Sequence, residues 1–531
     1  MRLEAHLADL AYHYYESGAW AQAFEYSQRA GERASSLYAP YEAIGHFTRA
    51  LEAARQLGRQ PDPQLHGARG KAYETIGDFE RADADLKTAL ELAREVRVRD
   101  RVARSAEWQA LLDLGFLWAS RDYSQTRDYF QQALDLAREM GDPVILAHSL
   151  NRLANWHANL EQPLEARRCH EEALAIFEAL NHQRGRAETL DLLGMTMMLG
   201  GDSIQSAAYF ERAIALFRDL DDRQGLISAL TSLPMTGGGY RQADTTILAP
   251  MTLAETLDTG GTALKMAREV GWRAGEARAL FVLASCLTPR GEYARALDSG
   301  RSALEIAQEI EHRQWITAAH CELGAIYLDM LALPQARGHL EAGLALARET
   351  SSLLWVGNTS GMLASTCILQ RDFDAAEAVL KDAIGLDTPA QTCAQRLCWV
   401  AHAELALTRG DTQSALQITD RLIASTLNLS RERAIPRIWK LRGEALAGLH
   451  QTAEAEATLQ AARETASARG ASPLLWRIHV ALGKLYQAQK RSDDAENAFS
   501  VARAIIEKVA GNVPGETLRG NFVQQANALI P

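Results

Sequence analysis

Small and apolar residues recur along this chain with the rhythm of paired amphipathic helices. The segments GAWAQAFEYSQRAGERA (18–34), GDFERADADLKTALELA (77–93) and GEYARALDSGRSALEIA (291–307) share one pattern. Each runs glycine, an acidic or small residue, an aromatic, then alanine five and twelve places after the glycine. The later alanine returns at Ala89, Ala133, Ala173, Ala213, Ala263, Ala303, Ala383, Ala462 and Ala502, with Gly343 and Leu422 in the two remaining places. Most steps are 39 or 40 residues; one is 44 and one is 50. A period of this length, held along a chain of 531 residues, predicts an array of repeated units rather than one growing core.

Upstream of each such segment lies a second amphipathic stretch with a small residue seven places before the turn. These residues are Ala11, Gly70, Ala154, Gly194, Ala284, Gly324, Ala364, Ala403, Gly443 and Gly483. Small side chains at regular intervals let paired helices approach closely, while larger apolar residues fill the seam. Pro163, Pro289 and Pro334 fall near the turns, where a missing N–H costs little. Gly141, Gly271 and Gly470 follow arginine-bearing helix ends and are expected as C-caps. Leu3–Ala11 reads as helix with no capping residue ahead of it.

The unit resembles the tetratricopeptide repeat. The resemblance rests on Gly70, Tyr73, Gly77, Asp78, Phe79, Ala82 and Ala89 in one unit, and on Gly324, Tyr327, Ala336 and Gly343 in another. It implies an all-α fold, a right-handed α-solenoid of about twelve helix pairs with a 40-residue period. Boundaries follow: an N-terminal unit and an extra half unit over 1–64, an array over 65–233, an irregular insertion over 234–262, a second array over 263–502 and a capping helix over 503–531. The insertion, PMTGGGYRQADTTILAPMTLAETLDTGG, is expected either as a hinge or lid over the concave groove or as a tolerated surface loop.

Composition narrows the function. Net charge is −11 with no basic run, which argues against a nucleic-acid surface. The six cysteines are scattered, and a lone C-x4-C pair at Cys393 and Cys398 is poor evidence for a metal. Neither a signal peptide nor an 18-residue apolar run is present, so the expected location is the cytoplasm, with no membrane partner. Phosphate-loop, H-E-x-x-H and G-x-S-x-G motifs are absent, and GNTSG (357–361) has the wrong spacing. The reading is therefore non-catalytic, with no cofactor.

Candidate binding residues lie on one stripe. In a helix-pair solenoid the first helix of each unit lines the concave side, and Asn151, Asn155 and Asn159, four apart, share one face of such a helix. Trp108 and Trp118 one unit earlier, His148 on the same helix, and Asp191, Met195 and Met198 one unit later project the same way. Amides beside aromatics and flexible methionines make a groove for an extended or helical peptide. The competing reading is that the amides bond between helices and the large side chains are core. The acidic-peptide clamp of some tetratricopeptide proteins needs a lysine where Asn151 stands, so recognition of an acidic C-terminus is not expected.

The opening LEAHLADLAYHYYESGAWAQAFEYSQRAGERASSLYAPYEAIGHFTRALEAA and the close ETLRGNFVQQANALIP resemble the helical-repeat arm of bacterial signal-transduction ATPases of the STAND type, the kind attached to LuxR-like activators and cyclases. That resemblance implies a sensor arm that binds a protein or peptide, with an ATPase module as a partner. The alternative is a receptor for a small ligand or signalling peptide held in the groove.

Overall fold

The computed structural model of the chain describes residues 6–37, 39–60, 62–95, 101–119, 121–237, 240–241, 245–429 and 434–531. Among them are 26 α-helices and no strand. They form twelve consecutive pairs, from Leu7–Glu16 with Trp20–Ser36 to Ser472–Ala488 with Ser492–Ala510, plus two single helices. One single, Pro40–Gln56, follows the first pair; the other, Glu516–Asn527, follows the last. Helix is first described at Leu7, so the start of the expected Leu3–Ala11 helix lies outside the described residues.

The period has a local cause. Most helices of the regular stretch are 17 residues long, joined by three-residue turns. Pro143–Asn159 shows how such a helix is bounded. Asp142 accepts from the N–H groups of Val144 and Ile145 at 3.0 and 3.3 Å, and Pro143 occupies the first helical position. At its other end Glu161 is left-handed (φ 60) and the Gln162 N–H reaches back to the His157 carbonyl at 3.0 Å. That closure satisfies carbonyls the helix leaves unpaired. The left-handed residue recurs at 141, 161, 181, 201 and 221, and again at 271, 291, 311, 331, 351 and 371. Helix plus turn is thus 20 residues and a pair is 40. The expected caps at Gly141, Gly271 and Gly470 are all left-handed, with φ of 66, 69 and 63.

The small-residue column works by close approach. A Cβ on Gly194 would lie 2.6 Å from the Phe210 ring, and one on Gly483 would lie 2.3 Å from Phe499. Gly70, Gly324 and Gly443 meet Leu86, Leu340 and Leu459 in the same way. One member of the alanine column departs from it. Ala383 is only half-buried, because helix Phe373–Ala383 stops after 11 residues and Ile384 turns extended ahead of Gly385 and Pro389.

The solenoid is wound until successive superhelical turns touch. The Tyr123 N–H donates to the Thr350 carbonyl at 3.3 Å, Asn428 Nδ2 donates to Asp202 at 2.7 Å, and the Ala294 N–H donates to the Asn512 carbonyl at 3.1 Å. Cys393 Sγ lies 3.3 Å from the Met198 carbonyl, and Thr392 bonds Glu161. Inner helices caught between turns are buried on every side. Leu353–Leu369 (LLWVGNTSGMLASTCIL) carries no charge and shows solvent only a fringe, as a helix apolar all round must.

The described part of the 234–262 segment divides: from Leu253 on it belongs to the helix Leu253–Glu269, and most of the residues before that turn inward. Tyr240 and Thr245 to Ala249 are buried inside the superhelix. Thr246 Oγ1 donates to the Gly201 carbonyl at 3.0 Å, and Ile247 packs with Ala390, Trp399, Val400, Ile435 and Ile438. Arg396, 1% exposed, holds the segment in place. Its guanidinium donates to the carbonyls of Thr245 (2.7 Å), Ala390 (3.0 Å) and Leu422 (2.9 Å), and to the hydroxyls of Ser425 (2.9 Å) and Thr426 (2.6 Å). Every partner is a neutral oxygen, and burial lowers its pKa to about 10. Residues 238, 239 and 242–244 of the insertion lie outside the described residues. No helix among the described residues is long and apolar enough to cross a membrane.

Candidate functional site

The inner helices enclose a cavity of about 310 Å³ at the centre of the superhelix, within the size range of ligand pockets. Pro143–Asn159 contributes Asn155 and Asn159; Gln183–Leu199 contributes Asp191, Met195 and Met198. Ser228 comes from Arg223–Ser232, and Arg278 and Phe281 from Arg273–Leu287. Arg313–Asp329 and Leu353–Leu369 add Trp315, Glu322, Trp355, Asn358 and Met362, and the insertion supplies Met235, Tyr240 and Arg241. The wall is mostly apolar, with Phe281 edge-on to Trp355 at 6.0 Å.

Four charged side chains line this cavity, and they are held differently. Glu322 forms an ion pair with Arg241, takes a bond from Ser285 and another from Thr288 at 3.2 Å. Burial raises its pKa, against the pull of Arg241. Asp191 is served by one donor. The Ser228 hydroxyl donates to Asp191 Oδ2 at 2.9 Å and accepts from Arg278 Nη1 at 3.1 Å, while Arg278 Nη2 bonds Ser232 at 2.6 Å. Burial pushes Asp191 up to about 6, although Arg278 and Ser228 pull it down, and burial lowers Arg278. Asp191 Oδ1 and the Trp355 indole N–H are buried without a protein partner, a costly condition for either group. Among the described residues no group of three His, Cys, Asp or Glu is placed to hold a metal ion.

The nine residues expected on the stripe divide. Asn155, Asn159, Asp191, Met195 and Met198 line the cavity; Trp108, Trp118, His148 and Asn151 do not. Asn151 is 2% exposed and bonds between helices: its Nδ2 donates to Thr189 at 2.8 Å, and its Oδ1 accepts from His170 Nδ1 at 2.9 Å. Burial lowers the His170 pKa to about 3, so that ring is neutral. Trp118 donates to Asp83 at 2.9 Å and stands edge-on to Phe79. Trp108 donates to Ser149 at 2.8 Å and borders, with His148, a separate open groove near Lys71, Asp113, Arg152 and Glu188. Burial, with Arg152 nearby, lowers His148 to about 4.

Arg278, Trp315, Trp355, Glu322 and Met362 were not placed at the site by the sequence reading, yet a signal existed. Trp315 and Trp355 are one period apart, as are Val282, Glu322 and Met362. Asn155, Met195 and Met235 form another such column. The one 50-residue step hides the continuation, since it shifts the register by ten and carries Ser228 to Arg278.

No curated protein matches the sequence. Among solved structures, a Rap protein complexed with competence and sporulation factor is 12% identical with a TM-score of 0.48, covering 72% of this chain and 97% of that one. The apo form of RapI is 14% identical with a TM-score of 0.43, covering 54% and 99%. A signal-transduction ATPase with numerous domains and a tetratricopeptide-repeat sensor, from Pyrococcus horikoshii, is 16% identical with a TM-score of 0.37, covering 66% of this chain and 52% of that one. The tetratricopeptide repeat family model matches residues 145–219 and, in a second form, residues 63–96. Those two stretches are tetratricopeptide repeats.

Proposed function

We propose that this chain is a non-catalytic regulatory arm that binds a short peptide inside its superhelix. The observation that carries the reading is the central cavity. It lies where superhelical turns meet, is walled by methionines and aromatics, and is set with the side chains of Asn155, Asn159 and Asn358. Side-chain amides offer both a donor and an acceptor to a peptide backbone, and methionines adapt to its side chains. A ligand there touches inner helices from residue 155 to residue 397 together with the insertion. It can therefore favour one spacing of the turns over another, which is how a sensor arm acts on a neighbouring module. By this reading that module is a signal-transduction ATPase.

The test is thermal unfolding of the full chain in the presence of pooled synthetic pentapeptides. Binding raises the midpoint through ligand linkage, and Met195→Trp, which fills the cavity, removes the rise. A rise with low-mass metabolite extract and none with peptides would replace the peptide by a small ligand. The same cavity supports that second reading through its volume.

A further inference from the structure

Only two carboxylates line the central cavity among the described residues, and one is already spent. Glu322 is neutralised by Arg241 and bonded by Ser285 and Thr288. Asp191 keeps one buried oxygen without a partner. A single hydroxyl, Ser228, separates it from Arg278, donating to the acid at 2.9 Å and accepting from the guanidinium at 3.1 Å. The cavity wall thus presents a negative and a positive charge side by side, fixed by one serine.

Resting on the peptide reading above, we infer that the cavity recognises a free amino terminus: the ligand's α-ammonium sits on Asp191, and the carbonyl next to it on Arg278. An ammonium supplies the charged donor that Oδ1 lacks, and an ammonium–carboxylate bond is stronger than a neutral one. The carbonyl follows one carbon later along a peptide, which suits a donor one hydroxyl away. Arg278 can serve it, because each of its Nη atoms bonds a serine and carries a further N–H. The Trp355 N–H, also unpartnered, serves a further acceptor on the ligand. An acetylated terminus loses the charge and keeps only one neutral amide N–H for the carboxylate.

The experiment uses the full chain and two matched random pentapeptide libraries, one with free amino termini and one N-acetylated, selected by retention and identified by mass spectrometry. The free-amine library is expected to be enriched. Acetylating a retained peptide should weaken its binding about 10- to 100-fold, the worth of a hydrogen bond to a charged group. Asp191→Asn, nearly isosteric, should erase that difference while Met195→Trp abolishes retention of both. Equal binding of free and acetylated forms to the natural chain overturns the amine assignment and leaves peptide binding standing. Retention of neither library overturns both. The acetylation comparison needs no variant, so a poorly folded Asp191→Asn chain would not blunt the test.

Discussion

Residues 143–223 and residues 234–252 solve the same problem in opposite ways. Both must satisfy backbone groups where the chain changes direction inside a crowded array. In the first stretch the solution is local and repeats: a 17-residue helix, a left-handed turn residue, and a bond back to the preceding helix end. In the second, local bonds such as the Ala249 N–H to the Thr236 carbonyl at 2.9 Å are joined by partners from far along the chain. Gly201 takes the Thr246 hydroxyl and Arg396 takes the Thr245 carbonyl, with partners 45 and 151 residues apart. A local solution is robust to changes elsewhere. A long-range one fails as soon as its distant partner is altered.

The sharpest way to break this contrast is Arg396→Met. It leaves the carbonyls of Thr245, Ala390 and Leu422 without that donor. The Leu422 carbonyl keeps the Ser425 and Thr426 hydroxyls as donors, so with a buried acceptor costing roughly 1–3 kcal/mol when unsatisfied the loss from the other two should be about 2–5 kcal/mol. Amide exchange should quicken at 245–249 and 384–392 while 143–223 keeps its protection. Equal loosening along the whole chain would show that the two regions are not energetically separate.

Gly194→Ala probes the regular stretch. Its Cβ would press within 2.6 Å of the Phe210 ring, and overpacking of this kind costs about 1–3 kcal/mol. In a solenoid the damage should stay with the adjacent units, so exchange near 183–219 should rise and the insertion should not respond.

The pH dependence tests the cavity that the insertion helps to close. Asp191 titrates from 3.8 when unfolded to about 6 when folded. Between those values the native chain keeps a proton that the unfolded chain has released, so this group's contribution to stability falls as pH rises from about 4 to about 6 and is level above. Asp191→Asn should flatten that part of the profile in denaturant titrations. A larger slope in the variant would contradict the burial of this carboxyl.

The smallest effect is Lys490→Gly. Lys490 is exposed and left-handed (φ 61) at a turn where other units use glycine. Relief of the backbone conformation should add about 1 kcal/mol, read as a small rise in denaturation midpoint confined to the C-terminal units.

Much of the first region was legible in the sequence. The alanine and glycine columns and the capping glycines correspond to packed or turning positions. Ala383 is the exception, because Gly385 and Pro389 end its helix early while the numbering keeps its step. The site was half legible. Asn155, Asn159, Asp191, Met195 and Met198 share a stripe that meets the cavity. Asn151 belongs to the same stripe and is spent between helices on Thr189 and His170. Spacing says which face of a helix a residue occupies, and nothing about what a neighbouring helix offers it.

The sequence alone determined the helices, their 20-residue turns and the close pairing of each unit, because those depend on residues a few tens of positions apart. Tertiary structure decided the rest. Thr392 meets Glu161 across 231 residues and Asn428 meets Asp202 across 226. A periodic pattern specifies each step of a superhelix, yet whether successive turns touch depends on small rotations summed over many units. That sum shapes the cavity, carries residues 245–249 inside, and leaves Asp191 beside Arg278 with one oxygen unpaired.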